Sequence, residues 1–166
     1  GKDAKDFDDA ISVSINEDGT YRLGVHIADV THYVKKKSAL DLDAIERGTS
    51  VYLTDRVVPM LPFELSNGIC SLNPDEDRLT LSCIMNIDEN GNVLTYDIKK
   101  SIIHSKYRLT YEDVNKLYNH ELKMDKELSE MLFLAKRLAS KIRKERESRG
   151  SIDLDIDEAK LIIDTN

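Results

Sequence analysis

The first ten residues, Gly-Lys-Asp-Ala-Lys-Asp-Phe-Asp-Asp-Ala, place four carboxylates (Asp3, Asp6, Asp8 and Asp9) within seven positions. An alternating apolar run starts immediately afterwards at Ile11, so the cluster is expected at the edge of a sheet. Like charges a few ångströms apart raise one another's pKa unless a cation neutralises them. Mg2+ takes oxygen ligands of this kind and keeps several waters. A cation so held can polarise a phosphoryl oxygen, lower the pKa of a water and steady a leaving oxygen. In an extended stretch Asp6 and Asp8 share one side and Asp9 takes the other, with Phe7 available to anchor the segment in a core. The segment is not an EF-hand, because that loop's glycine and terminal glutamate are absent at the required offsets. On residue chemistry alone two readings stand: a site for metal-dependent chemistry, or an acidic N-terminal turn.

The elements that must position these residues follow from periodicity. Ile11, Val13 and Ile15 alternate with serines, Asn16-Glu17-Asp18-Gly19 supplies a turn, and Tyr21, Leu23, Val25 and Ile27 alternate again, which predicts a hairpin. Short helices are expected over Ala28–Val34 and Leu40–Arg47, the second stopped by Gly48. Thr49–Leu53 reads as a short strand, and Pro59 and Pro62 mark an ordered loop. A second hairpin runs from Leu79 to Ile87, turns at Asp88-Glu89-Asn90-Gly91, and returns from Val93 to Ile103. The period then changes. Tyr111–Tyr118 reads as a helix capped by Thr110, and a long amphipathic helix is expected from Lys126 to Arg149, ending at Gly150. Ala159–Asp164 has the apolar content of a further strand.

Composition narrows the classes. The chain of 166 residues is 40% hydrophobic and 33% charged, enough for a buried core. Its 24 Lys+Arg against 31 Asp+Glu give a net charge of −7, which argues against holding nucleic acid by overall charge alone. Charge is nonetheless uneven: seven basic and two acidic residues lie between Lys136 and Arg149, read here as a solvated helix face, with a phosphate-facing stripe as the alternative. Cys70 and Cys83 lack the number and spacing for a disulfide scaffold or a zinc site. Reduced thiols, no apolar run of roughly 18 residues and no secretory leader predict a cytoplasmic protein with no membrane partner. Both ends of the chain read as cut.

Several blocks together resemble the ribonuclease II/ribonuclease R (RNB) family of exoribonucleases, and most closely its ribonuclease R branch. The first is Asp3-Ala-Lys-Asp-Phe-Asp-Asp-Ala; the next is His26-Ile-Ala-Asp-Val-Thr-His-Tyr-Val. Arg47-Gly-Thr-Ser-Val-Tyr-Leu and the run from Val57 through Cys70-Ser-Leu follow, and then Ser105-Lys-Tyr-Arg-Leu-Thr-Tyr-Glu-Asp-Val. The resemblance spans essentially the whole chain in order. It implies an α+β fold, antiparallel β-hairpins followed by a long helix, as part of an RNB-type catalytic domain. Residues 1–166 would be its N-terminal portion, truncated at both ends. It implies a parent enzyme that digests single-stranded RNA processively from the 3′ end, releasing 5′-nucleoside monophosphates with Mg2+. Asp6, Asp8 and Asp9 match three of the family's four catalytic, metal-holding aspartates, and Tyr52 matches an RNA-binding tyrosine that stacks near the 3′ end. The fourth aspartate falls one position before Gly1, and Asp3 is out of register to replace it. The second half of the catalytic domain and the flanking RNA-binding domains also fall outside this chain. The isolated fragment is therefore expected to be inactive, and the alternative is a non-catalytic RNA- or metal-binding fragment.

Two further groups invite chemistry. His26, Asp29 and His32 are spaced three apart and would share a helix face, but His26 belongs to a strand pattern, so structural hydrogen bonding is the preferred reading. Arg56, Lys106 and Arg108 are candidates for phosphate contact, which positions RNA without reading its sequence.

Overall fold

Alternating β-branched residues need a partner for each face, and the chain supplies it by joining its two hairpins into one sheet. The structure, a computed structural model, describes residues 4–54 and 56–152. Strand β1 (Asp9–Ile15) pairs antiparallel with β2 (Tyr21–Ala28), with Val13 opposite Leu23. Strands β5 (Asp77–Ile87) and β6 (Val93–His104) form the second hairpin, and β2 pairs antiparallel with β5. The sheet order is β1-β2-β5-β6. The α+β reading thus holds, and both hairpins lie where the alternation put them.

One sheet face is closed by the long helix α4 (Lys126–Ser148). Val13, Tyr21 and Ile87 from three strands bury against Leu138, with Met85, Met131 and Ile142 around them. Ile87 and Leu138 are 1% and 2% exposed, so this contact is dry, and each such side chain contributes roughly 1.5–3 kcal/mol of burial. Helix α3 (Tyr111–Tyr118) closes on α4 through Leu117, Leu128 and Leu132, and the Tyr118 hydroxyl donates to the Leu132 carbonyl at 2.9 Å. The Thr110 hydroxyl accepts the Asp113 N–H at 3.1 Å, as a cap must. Asp125 caps α4 by accepting from the N–H groups of Glu127 and Leu128.

The other face carries a group of hydroxyls beside Ala10, Ala28 and Ile103. His26 sits between Ser12 (3.2 Å from Nε2) and Ser82 (2.7 Å from Nδ1), and Ser82 and Thr80 both reach Ser101. Thr80 and Ser82 are buried, and no buried side-chain polar atom among the described residues lacks a partner. Burial holds the His26 imidazole below its ordinary pKa.

Three segments depart from the sequence reading. Helix α1 covers Val30–Tyr33 and starts later than expected, because Ala28 still pairs with Thr80 and the Asp29 N–H donates to the Leu79 carbonyl. Val57–Val58 forms a strand, β4, on Val51–Tyr52 (β3), a separate two-stranded ribbon; two residues are too few to show alternation. The loop after Pro62 winds into a π-helical turn over Glu64–Ile69, broken at Gly68. Helix α2 (Ala39–Arg47) is capped by Ser38 and stops at Gly48 as expected. The strand expected over 159–164 lies outside the described residues. Among those described, no helix is long and apolar enough to cross a membrane.

The β5–β6 turn is pressed against α4. Gly91 has φ +98°, and a Cβ there would lie 2.8 Å from the Lys141 carbonyl carbon. Both the left-handed backbone and the helix contact reject a side chain. Gly91→Ala is therefore expected to destabilise the chain by about 1–3 kcal/mol, read from chemical denaturation; an unchanged midpoint would mean that the turn and α4 do not meet this closely.

Candidate active site

The acidic segment is held by its backbone and by one aromatic ring. Phe7 packs into the cluster of Ala28, Cys70 and Leu72, joined by Ala10, Val30 and Ile103, which is the anchoring role its position suggested. Its N–H donates to the Ser71 hydroxyl at 3.0 Å, and its carbonyl accepts from the Leu72 N–H at 2.9 Å. The Asp8 carbonyl accepts from the Ala28 N–H at 3.0 Å, and Asp9 enters β1 opposite Ile27. Arg108 reaches back from the loop after β6: its guanidinium lies 5.0 Å over the Phe7 ring and donates to the Ala4 carbonyl at 3.1 Å.

With the main chain so occupied, the side chains of Asp6, Asp8 and Asp9 face solvent. None of the three carboxylates makes a hydrogen bond or ion pair among the described residues. The Asp8 carboxyl is pushed above the usual carboxylate range, first by partial burial and then by the charges of Asp6 and Asp9. Its charge is also felt at Cys70, whose thiol is raised by burial first, with Asp29 and Asp8 adding to the shift. Crowded, unpaired oxygen donors of this kind suit a hard cation such as Mg2+. No three His, Cys, Asp or Glu side chains among the described residues converge closely enough to enclose an ion.

The other candidates separate clearly. His26 belongs to the hydroxyl network of the sheet. Asp29 is buried, accepts from the Thr31 hydroxyl at 2.6 Å and pairs with Lys100 at 3.2 Å, and these contacts hold its carboxyl low. His32 lies edge-on to Tyr33. The three do not form a metal triad. Tyr52 stands on the β3–β4 ribbon and is 70% exposed, an open aromatic face of the kind that stacks on a base. Lys106 pairs with Glu127 at 3.3 Å. Arg108, a candidate phosphate contact, also braces the aspartate segment. Sequence reasoning missed Ser71, which is fully buried under that segment; its only signal was its place between Cys70 and Leu72 in one of the quoted blocks.

Comparison with known proteins adds to this geometry. The RNB domain family matches residues 1–166. Ribonuclease R of Thermotoga maritima is 53% identical over 100% of this chain and 24% of its own length. The structure of Mycoplasma genitalium RNase R in complex with double-stranded RNA superposes with a TM-score of 0.92 at 38% identity, covering 98% of this chain and 29% of that one. Yeast Ssd1, described as a pseudonuclease, shares the fold with a TM-score of 0.73 at 23% identity, over 85% of this chain and 17% of its own. The chain spans about a quarter of the length of the curated relatives it matches.

The raised Asp8 pKa has a definite sign in stability. The unfolded carboxyl ionises near pH 3.9 and the folded one later, so the favourable contribution is complete below the unfolded value and is lost as pH rises through the folded one. Without divalent ions, Asp8→Asn should therefore melt higher than the parent chain at pH 7, and the two should converge near pH 3. Adding Mg2+ should raise the parent's melting temperature and leave the variant's where it was. A variant that melts lower at pH 7 would contradict the crowding.

Proposed function

The chain belongs to the RNB-domain family, and from that premise we propose that its parent protein is a Mg2+-dependent exoribonuclease. It hydrolyses single-stranded RNA processively from the 3′ end to 5′-nucleoside monophosphates. The observation that carries this reading is the cluster of Asp6, Asp8 and Asp9, without side-chain partners among the described residues, on a main chain tied at Ala4, Lys5, Phe7 and Asp8. An RNase R structure at 38% identity holds single-stranded RNA, which supports RNA as the substrate class.

Each residue has a separate task. Asp6, Asp8 and Asp9 would hold the cation, and their charges keep the site negative before it binds. When bound, Mg2+ supplies Lewis acidity and charge neutralisation at the scissile phosphodiester. Tyr52 stacks on a base near the 3′ end, a contact worth about 1–3 kcal/mol and indifferent to base identity. This chain is the N-terminal portion of the catalytic domain, and the remainder of that domain completes the ligand set and the RNA channel. Two unbridged cysteines, Cys70 and Cys83, suit the reducing cytoplasm.

A second reading, a non-catalytic RNA- or metal-binding fragment, draws on the incomplete enclosure of a cation among the described residues. The two separate in a digestion time course on 5′-labelled single-stranded RNA with Mg2+. The complete gene product should shorten the RNA stepwise, its Asp8→Asn variant should bind RNA and leave it intact, and residues 1–166 alone should give little turnover. Mononucleotide release by the Asp8→Asn variant at the parent's rate would refute the catalytic assignment.

The Tyr52 assignment has its own readout. Tyr52→Ala in the complete protein should lengthen the final, undigested product. An unchanged product ladder would remove Tyr52 from the RNA contact.

A further inference from the structure

We propose that Ser71 is a positioning residue for the metal-holding aspartates, its hydroxyl locking both peptides that flank Asp6, with Arg108 bracing the same segment at Ala4 and Phe7. The inference rests on the nuclease reading of those aspartates and assigns to two other residues the task of setting their geometry.

The Ser71 side chain is 0% exposed. Its oxygen accepts the Phe7 N–H at 3.0 Å and donates to the Lys5 carbonyl at 2.9 Å. These are the peptide groups on either side of Asp6, so one hydroxyl fixes the backbone on both sides of that side chain. A hydroxyl has a single proton to give, and the Asn73 carboxamide oxygen at 3.3 Å is the longer of its two possible acceptors. Ser71 is itself fixed: its N–H donates to the Gly68 carbonyl at 3.0 Å, and its carbonyl accepts from Arg78 Nε at 2.9 Å. Arg78 in turn pairs with Glu76.

What this clamp leaves alone is informative. Residues 4, 5, 7 and 8 each have a backbone group tied to another part of the chain, by Arg108, Ser71, Leu72 and Ala28, and Asp9 opens β1 opposite Ile27. The carboxylates at positions 6, 8 and 9 have no such ties among the described residues. Three like charges on a free segment would relax by separating. Here the backbone is tied on both sides of Asp6, so its position decides how well the oxygens meet a cation. Partners of this outer kind typically change metal affinity by 10–100-fold when removed.

The test uses the complete gene product and four variants. Ser71→Ala removes the hydroxyl, Arg108→Lys keeps the charge and loses the planar contact with Phe7, Asp8→Asn removes a ligand, and Tyr118→Phe deletes a different hydroxyl bond remote from the segment. Mn2+ affinity is read by electron paramagnetic resonance without RNA, RNA affinity by anisotropy in EDTA, and the half-saturating Mg2+ from turnover. Ser71→Ala should weaken Mn2+ about tenfold or more and raise the half-saturating Mg2+ in step, with RNA affinity unchanged. Arg108→Lys should show a smaller loss of the same kind, and Tyr118→Phe none. Because Arg108 is exposed, its variant carries the test if Ser71→Ala does not fold. Wild-type Mn2+ affinity in both clamp variants, or an equal loss in Tyr118→Phe, would overturn the positioning role while leaving the nuclease reading intact. Wild-type Mn2+ affinity and turnover in Asp8→Asn would instead overturn the nuclease reading, and the clamp with it.

Discussion

Three carboxylates on a main chain that cannot move apart is the constraint around which the rest of this structure is arranged. Asp8 is partly buried and lies within the fields of Asp6 and Asp9, an arrangement that costs stability in the absence of a cation. A flexible loop would dissipate that repulsion by spreading. This one is prevented from spreading by Phe7 in an apolar cluster, by the bonds to Ser71, Leu72 and Ala28, and by the start of β1. The cost is local, and the surrounding fold offsets it.

That offset comes from two differently built sheet faces. On one, α4 seals Val13, Tyr21 and Ile87 around Leu138, which is non-directional burial and tolerates small shifts. On the other, His26, Ser12, Ser82, Ser101 and Thr80 share directional bonds across all four strands. Such a network fixes register, since a one-residue slip would exchange its hydroxyls for the apolar face. Register matters here because Asp9 is the first residue of β1 and Asp8 bonds to the last residue of β2. A slip in the sheet would carry the aspartates with it.

How much of this was legible in the sequence depended on the range of the interaction. The hairpins, their Asp-Gly and Asn-Gly turns, Ser38 and Thr110 as caps, and α4 with its Gly150 stop are local patterns, and each lies where periodicity and end signals put it. The crowding of the aspartates was legible too, because it is encoded in adjacent positions. What could not be read were contacts between distant segments. Ser71 is 64 positions from Phe7, and Arg108 is 104 from Ala4; a serine after a cysteine and an arginine in a basic stretch have ordinary local explanations. The β3–β4 ribbon was half missed because its strands are two residues each, below the length at which alternation can be seen. The extension of β2 through Ala28 was hidden by the helix-like spacing of the residues that follow.

The central claim is electrostatic: the fold raises the Asp8 pKa, and a divalent cation would relieve the crowding. The most direct measurement is a carboxyl-carbon NMR titration of Asp8, first in metal-free buffer and then in Mg2+. The account predicts a metal-free midpoint above the usual carboxylate range that falls when Mg2+ is added, and that falls toward the usual range without metal when Asp6 and Asp9 are changed together to Asn. An Asp8 midpoint at the ordinary value, unmoved by Mg2+ or by those substitutions, would contradict it.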